Sequence, residues 1–219
     1  MSKRIKGKIK YAFELVKEQE EAFKGIKENQ VTIITGDAGS GKSSLAAIST
    51  LDMLFRREIN KVYISRSIEE VGRPMGFLPG LAQEKFEPFI EPFMDSLYRS
   101  YKHREVIDKL VEKNTFEGAP VQFIRGKNIE RKELLVLEES QNYNKHEMLA
   151  LLTRLTPRGK IIILGDNNQT DTNQVFTGLS YVIELSKHIK GIKQFNLIEN
   201  HRSGIVREIL EYERRNKNK

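Results

Sequence analysis

The sequence predicts an α/β fold: a mostly parallel central sheet with helices on both faces, three layers in all. Three observations predict it. Short apolar runs bounded by turn residues recur along the chain, as buried parallel strands do. Stretches with helical spacing lie between those runs, so strand and helix alternate. Two of the runs, "LLVL" at 134–137 and "IIIL" at 161–164, lead into "EE" and "GD". Polar groups delivered at strand ends stand where a parallel sheet binds ligands.

Taken in order, the expected strands are "VTIIT" (31–35), "KVYIS" (61–65), "VQFI" (121–124), "LLVLE" (134–138), "IIIL" (161–164) and "QFNLI" (194–198). Helices are expected over 44–57, 82–102, 104–113, 145–154, 178–188 and 203–214. Within the second of these, Phe86, Phe89 and Phe93 recur at helical spacing and are expected in the core. The segment "RSIEEVGRPMGFLPG", 66–80, carries glycines and prolines throughout and reads as a long loop or broken helix. "RGKNI", 125–129, reads as a basic loop between two strands. No repeat or low-complexity linker divides the chain, so one domain over 1–219 is expected, with basic tails at about 1–10 and 213–219.

Composition narrows the function classes. The absence of cysteine excludes disulfides and thiolate metal sites. The four histidines, at 103, 146, 188 and 201, are scattered and make no metal pair. No apolar run approaches the roughly 20 residues of a membrane span, and the basic N-terminus leads into no apolar stretch, so a secretory signal is not expected. The cytoplasm is the expected location. A net charge of +7 with a pI near 9.4 suits a nucleic-acid partner, or ordinary solubility.

The first motif follows the first strand. "GDAGSGKSS", Gly36 to Ser44, fits the phosphate-loop spacing G-x-x-x-x-G-K-[ST] through Gly36, Gly41, Lys42 and Ser43. Glycines at these places let backbone N–H groups of Gly36, Asp37, Ala38, Gly39, Ser40, Gly41, Lys42, Ser43 and Ser44 turn toward phosphate oxygens. The next helix aims its N-terminus at the same anion. Lys42 is the β- and γ-phosphate contact and Ser43 a Mg²⁺ ligand. No guanine-reading N-K-x-D pattern exists, so ATP is the expected nucleotide.

A phosphate-loop enzyme also needs an acid for the Mg²⁺ shell and a group that orients attacking water. Glu138 is the candidate for the metal shell and Glu139 for the general base; the competing reading is two solvated acids at a strand end. After "IIIL", Gly165 and Asp166 are followed by Gln169, a candidate γ-phosphate sensor or else part of a polar turn.

The order of these motifs resembles the PhoH family of phosphate-loop ATPases, relatives of the RecA-like core of superfamily 1 helicases. The matching segments run from Gln19 to about Leu210. "SRSIEEVGRPMGFLPG" is similar to the family's T-R-P-x-x-E-x-G-x-x-L-G-F-L-P-G, "FIRGK" to F-x-R-G-R, "LEESQN" to D-E-A-Q-N and "GDNNQTD" to G-D-x-x-Q-x-D. The resemblance implies a RecA-like P-loop NTPase fold. It implies that Gln19 reads adenine and that Arg202, in "ENHRSGIV", acts as an arginine finger; the competing reading of Arg202 is a surface capping residue. It also implies a homo-oligomer, with a hexameric ring as the expected form, and work on RNA. Departures stand out in two of these motifs. Glu138 occupies the family's aspartate position and Ser140 its alanine, and Ser67 replaces a proline.

In superfamily 1 relatives, loops at the places of 66–80 and 125–129 contact single-stranded nucleic acid. Arg66, Arg73, Arg125 and Lys127 are the phosphate-contact candidates, and Phe77 a base-stacking one or else a core or interface residue. Two functions follow as expectations. The first is an Mg²⁺-dependent ATPase coupled to RNA or single-stranded DNA. The second is a nucleotide-gated binding or scaffold protein with little hydrolysis, motivated by Glu138.

Overall fold

The computed structural model describes residues 9–67, 82–166 and 176–199, with Gly204, Ile205, Glu208 and Tyr212 in helical conformation beyond them. The sequence folds around six parallel strands: β1 (Val31–Gly36), β2 (Lys61–Arg66), β3 (Phe116–Gly118), β4 (Glu133–Glu138), β5 (Lys160–Gly165) and β6 (Ile192–Leu197). Their order across the sheet is β3-β2-β4-β5-β1-β6. The helices are α1 (Lys17–Glu28), α2 (Lys42–Phe55), α3 (Ala82–Ser100), α4 (Arg104–Glu112), α5 (Val121–Ile124), α6 (Lys145–Leu152) and α7 (Gly178–Ser186).

The strands read as unbroken apolar runs because both faces are covered. Alternate residues go to opposite cores. Ile34, Val62, Ile64, Val136 and Ile162 pack with Ala22 and Ile26 of α1, with α2, and with Phe93 and Leu97 of α3. Ile33, Tyr63, Leu135, Leu137 and Ile163 pack on the other side with Val121 and Ile124, Met148 and Leu151, and Leu179 and Val182. Those two cores make the three layers. Phe93 lies in the first core, as its spacing predicts; Phe86 and Phe89 have side chains outside the described set.

One expected strand is wrong. "VQFI", 121–124, is the short helix α5. Pro120 stands at its N-cap with φ −64°, a value that starts a helix. Val121 and Ile124 are buried while Phe123 is 54% exposed, the i, i+3 pattern of a helix and not the alternation of a strand. The sheet edge is made instead by the three residues of β3, paired with β2 through Val62↔Phe116 and Ile64↔Gly118. The basic loop after 124 therefore follows a helix. Helix α1 was not expected either: its buried positions Gln19, Ala22, Gly25 and Ile26 include one polar residue and one glycine, so its apolar stripe is faint. Of the expected helix over 203–214, Gly204, Ile205, Glu208 and Tyr212 are described and are helical; most of the loop over 66–80 lies outside the described residues. Among the described residues no helix is long and apolar enough to cross a membrane.

The N-terminal segment is fastened across the first layer. Tyr11 donates its hydroxyl to Asp52 Oδ1 at 2.9 Å. Asp52, buried in α2, also pairs with Lys27 of α1 and with Arg56 Nε at 2.8 Å. One carboxylate thus joins three segments. Although burial alone would raise it, Arg56, Lys27 and Tyr11 together hold its pKa below the usual carboxylate range.

Candidate functional site

Five strand ends meet at the C-terminal edge of the sheet. Arg66 of β2 is level with Glu138 of β4. Thr35 of β1 is level with Gly165 of β5. Gly36 is level with Leu197 of β6. Strand β5 lies between β1 and β4, so the "GD" turn separates the phosphate-loop strand from the acidic one. The two polar strand ends of the sequence are neighbours because the topology makes them so.

The loop from Gly36 to Gly41 is built on backbone that side chains oppose. Gly39 and Gly41 take φ +89° and +86°, values open to glycine and strained for other residues. A Cβ on Gly36 would stand 2.5 Å from the Leu197 carbonyl and 2.6 Å from Ser40 Oγ. Gly41 caps α2, whose first turn contains no acid. A helix N-terminus over an acid-free first turn is an anion site by its dipole and its N–H groups. Lys42 Nζ lies in the loop, donating to the Gly36 carbonyl at 2.6 Å and the Asp37 carbonyl at 2.9 Å. Ser40 Oγ is buried without a hydrogen-bond partner among the described residues. Gln19 is buried as well. Its Oε1 accepts from Val16 N at 3.2 Å and its Nε2 reaches the Ser40 carbonyl at 3.5 Å. In this state Gln19 braces the loop against the start of α1.

Glu138 and Glu139 reach different partners because the strand stops between them. In a continued strand they would face opposite sides of the sheet. Glu139 instead takes φ +49°, ψ +47° and caps the 3₁₀ turn Ser140–Asn142. A non-glycine residue in that region stores about 1 kcal/mol or more. Glu138, only 6% exposed, accepts from Ser43 Oγ at 3.1 Å. Burial first, and the charge of Glu139 second, push its pKa up to about 7; the Ser43 hydrogen bond and the Arg66 and Lys42 charges oppose that rise. Glu139 is more open. Its Oε2 accepts from Gln141 Nε2 at 2.7 Å, and Arg66 Nη2 stands 3.7 Å from its Oε1.

Gln141 is the residue the sequence reading missed. While its amide nitrogen holds Glu139, its Oε1 accepts from Asp166 N at 3.0 Å. It therefore links Asp166, at the end of β5, to the candidate base. The signal was present in "EESQN", where Gln keeps the place it has in D-E-A-Q-N. The two serine departures also have physical roles. Ser67 Oγ donates to the Asn142 carbonyl at 3.0 Å, a tether that proline cannot supply. Ser140, fully buried, donates to Leu137 O at 3.3 Å.

The remaining candidates divide. Arg66 stands at the acidic turn. Arg125 is exposed, and its carbonyl accepts from Arg154. Lys127 is engaged elsewhere: it pairs with Glu117 and lies 4.8 Å from the centre of the Tyr63 ring. Its charge is held at the sheet edge. Arg73, Phe77, Gln169 and Arg202 lie outside the described residues.

The donor set fits the group that such a site implies. Mg²⁺ takes oxygen ligands and keeps waters alongside substrate phosphates. A serine hydroxyl and a carboxylate in contact at the head of a phosphate-loop helix offer that chemistry.

Comparison with known proteins agrees with this geometry. Residues 14–213 match the family of PhoH-like proteins. A PhoH-like protein of Synechocystis sp. is 33% identical over 90% of this chain and 60% of its own length. One of Bacillus subtilis is 33% identical over 90% of this chain and 63% of its own. The chain thus spans about 60% of the length of these curated relatives. Among solved structures, the Pif1 helicase of Candida albicans superposes with a TM-score of 0.50 at 17% identity, covering 91% of this chain and 43% of that one. That likeness is one of fold. The chain belongs to the PhoH-like family and is built as a RecA-like P-loop NTPase.

Proposed function

We propose that this PhoH-like protein is an Mg²⁺-dependent ATPase that couples ATP turnover to RNA or single-stranded DNA. The observation that carries the reading is the Ser43–Glu138 contact at 3.1 Å, with Glu139 as the next residue on the open side. Ser43 and the two acids given these roles are neighbours: Ser43 meets Glu138, and Glu139 follows it.

The loop Gly36–Ser44 binds the phosphate chain, and Lys42 moves from its loop carbonyls to the β- and γ-phosphates. Ser43 and Glu138 would hold Mg²⁺, which neutralises charge on the phosphate oxygens. Glu139 orients the attacking water and takes its proton as the oxygen–phosphorus bond forms and ADP leaves. Gln141 holds Glu139 in position and links it to Asp166 at the end of β5. Gln169 as the γ-phosphate sensor, Arg202 as the finger and Gln19 as the adenine reader are roles that family membership supports. So are a homo-oligomeric ring, in which a neighbour completes the site, and a cytoplasmic place of action. Arg66, Arg73, Phe77 and Arg125 form the proposed nucleic-acid surface; Lys127 is left out because Glu117 holds it.

The test is phosphate release from Mg²⁺-ATP by wild type, Lys42→Ala and Glu139→Gln, with and without single-stranded RNA and DNA. Turnover lost in both variants and raised by one polymer supports the reading and names the polymer. A second reading rests on Glu138, buried and largely uncharged below neutral pH: a nucleotide-gated binding protein with little hydrolysis. Wild type that binds ATP and assembles without releasing phosphate would establish it in place of the first.

A further inference from the structure

We propose that Ile198 is the apolar platform on which the nucleotide's base rests, held in place by Glu18. The inference rests on the nucleotide-site reading above and deepens it at the base, for which that reading names one polar residue, Gln19, and no apolar surface.

The sheet fixes which way a nucleotide runs. The Ser43–Glu138 contact marks the metal and γ-phosphate end, on the β5–β4 side of the loop. The nucleoside must leave on the other side of β1, where only β6 follows in the sheet. There β6 and the loop are in contact: Gly36 pairs with Leu197, and a Cβ on Gly36 would stand 2.5 Å from the Leu197 carbonyl. The chain then leaves the sheet at Ile198.

Ile198 is 78% exposed, more than any other large hydrophobic among the described residues. Its backbone is not loose. Glu18 accepts from Ile198 N at 3.0 Å and 3.1 Å through its two oxygens and from Glu199 N at 2.9 Å. Glu18 precedes Gln19, which braces the phosphate loop. A single turn of α1 therefore fixes both the loop and the strand end beside it. The result is an aliphatic side chain in water, on fixed backbone, one residue from the phosphate loop and on the base side of it. A purine ring laid on it removes apolar surface from water. The phosphates supply the anchor and Gln19 the polar contact to the base, so the platform need supply only apolar area.

Covering about half of an isoleucine side chain corresponds to about a five- to tenfold gain in affinity. The test is isothermal titration of wild type, Ile198→Ser and Ile198→Met with Mg²⁺-ATP and with Mg²⁺-tripolyphosphate, which has no base. The expected result is ATP binding weakened about fivefold or more in Ile198→Ser, unchanged tripolyphosphate binding, and ATP affinity kept in Ile198→Met. Equal ATP affinity in wild type and Ile198→Ser overturns the platform, as does equal loss of both ligands. Wild type that binds the two ligands equally also overturns it, while leaving the phosphate site intact. If wild type binds neither ligand, the nucleotide-site reading falls and the platform with it; Lys42→Ala, losing both, marks that distinction.

Discussion

Glu138→Gln should make the ligand-free protein more stable at pH 8 and change it little at pH 5. The carboxyl is buried and its pKa rises from the ordinary 4.5 to about 7. The sign follows from proton binding. Between those values the folded protein holds a proton that the unfolded chain has released, so stability falls as pH rises through the window. The cost is small below 4.5 and complete above 7. Its full size is about 3 kcal/mol, from about 1.4 kcal/mol for each pH unit of the gap. At pH 5 the same linkage gives about 1 kcal/mol or less. Glutamine keeps the acceptor for Ser43 Oγ but buries an amide nitrogen, which returns about 1 kcal/mol. The net gain at pH 8 is therefore about 2 kcal/mol, or about 4–8 °C in Tm for a chain of this size.

The assay is thermal unfolding of wild type and Glu138→Gln at pH 5 and pH 8, in chelator, then in Mg²⁺ with ATP. The difference between the two pH values is the diagnostic, since packing changes cancel in it. Wild type should recover stability with Mg²⁺ and ATP, and the variant should recover less. An identical Tm offset at both pH values would refute the reasoning, because the carboxylate would then bear no charge-dependent cost.

Asp52→Ala should destabilise by about 3 kcal/mol, since it leaves Lys27, Arg56 and the Tyr11 hydroxyl facing a buried void; urea denaturation measures it. Because the Asp52 pKa is depressed, the wild-type advantage is present above the ordinary carboxylate range and is lost as pH falls below it, and a constant difference from pH 7 to pH 3 would contradict the pairing. Gly36→Ala should abolish ATP binding and cost about 2 kcal/mol of stability, because its Cβ meets the Leu197 carbonyl; titration and thermal melts report the two effects separately. Arg66→Ala should weaken binding of single-stranded nucleic acid and reduce the slope of log K against log salt by about 0.7, and an unchanged slope would remove Arg66 from the phosphate contacts.

What the sequence made legible was whatever one short segment determines alone. The phosphate loop, the acidic strand end and five of the six expected strands are each set by local spacing, and each stands where it was expected. What was not legible has a common cause. Whether "VQFI" is strand or helix depends on Pro120 before it and on which of its residues find a core, and four apolar residues carry no period of their own. Lys127 reads as a free cation in "FIRGK" because nothing nearby in sequence announces Glu117 and Tyr63. The contact of the Gln19 amide with the Ser40 carbonyl, between residues 21 apart, is likewise announced by nothing nearby in sequence.

The acidic pair shows how local and non-local causes combine. Adjacent glutamates at a strand end predict two acids near a site, but not that they divide the work. The left-handed turn at Glu139 supplies that division. It sends one carboxyl into the sheet beside Ser43, where burial makes the charge costly until a cation neutralises it. It leaves the other at the surface between Gln141 and Arg66. Aspartate is one methylene shorter, so Glu138→Asp should break or lengthen the direct Ser43 contact while leaving the turn intact. If contact with Ser43 sets the metal shell, Glu138→Asp will shift the Mg²⁺ concentration needed for half-maximal ATP binding and spare the Mg²⁺-free melting profile of the turn's neighbours. An unshifted Mg²⁺ requirement would mean that the longer side chain is tolerated, not used.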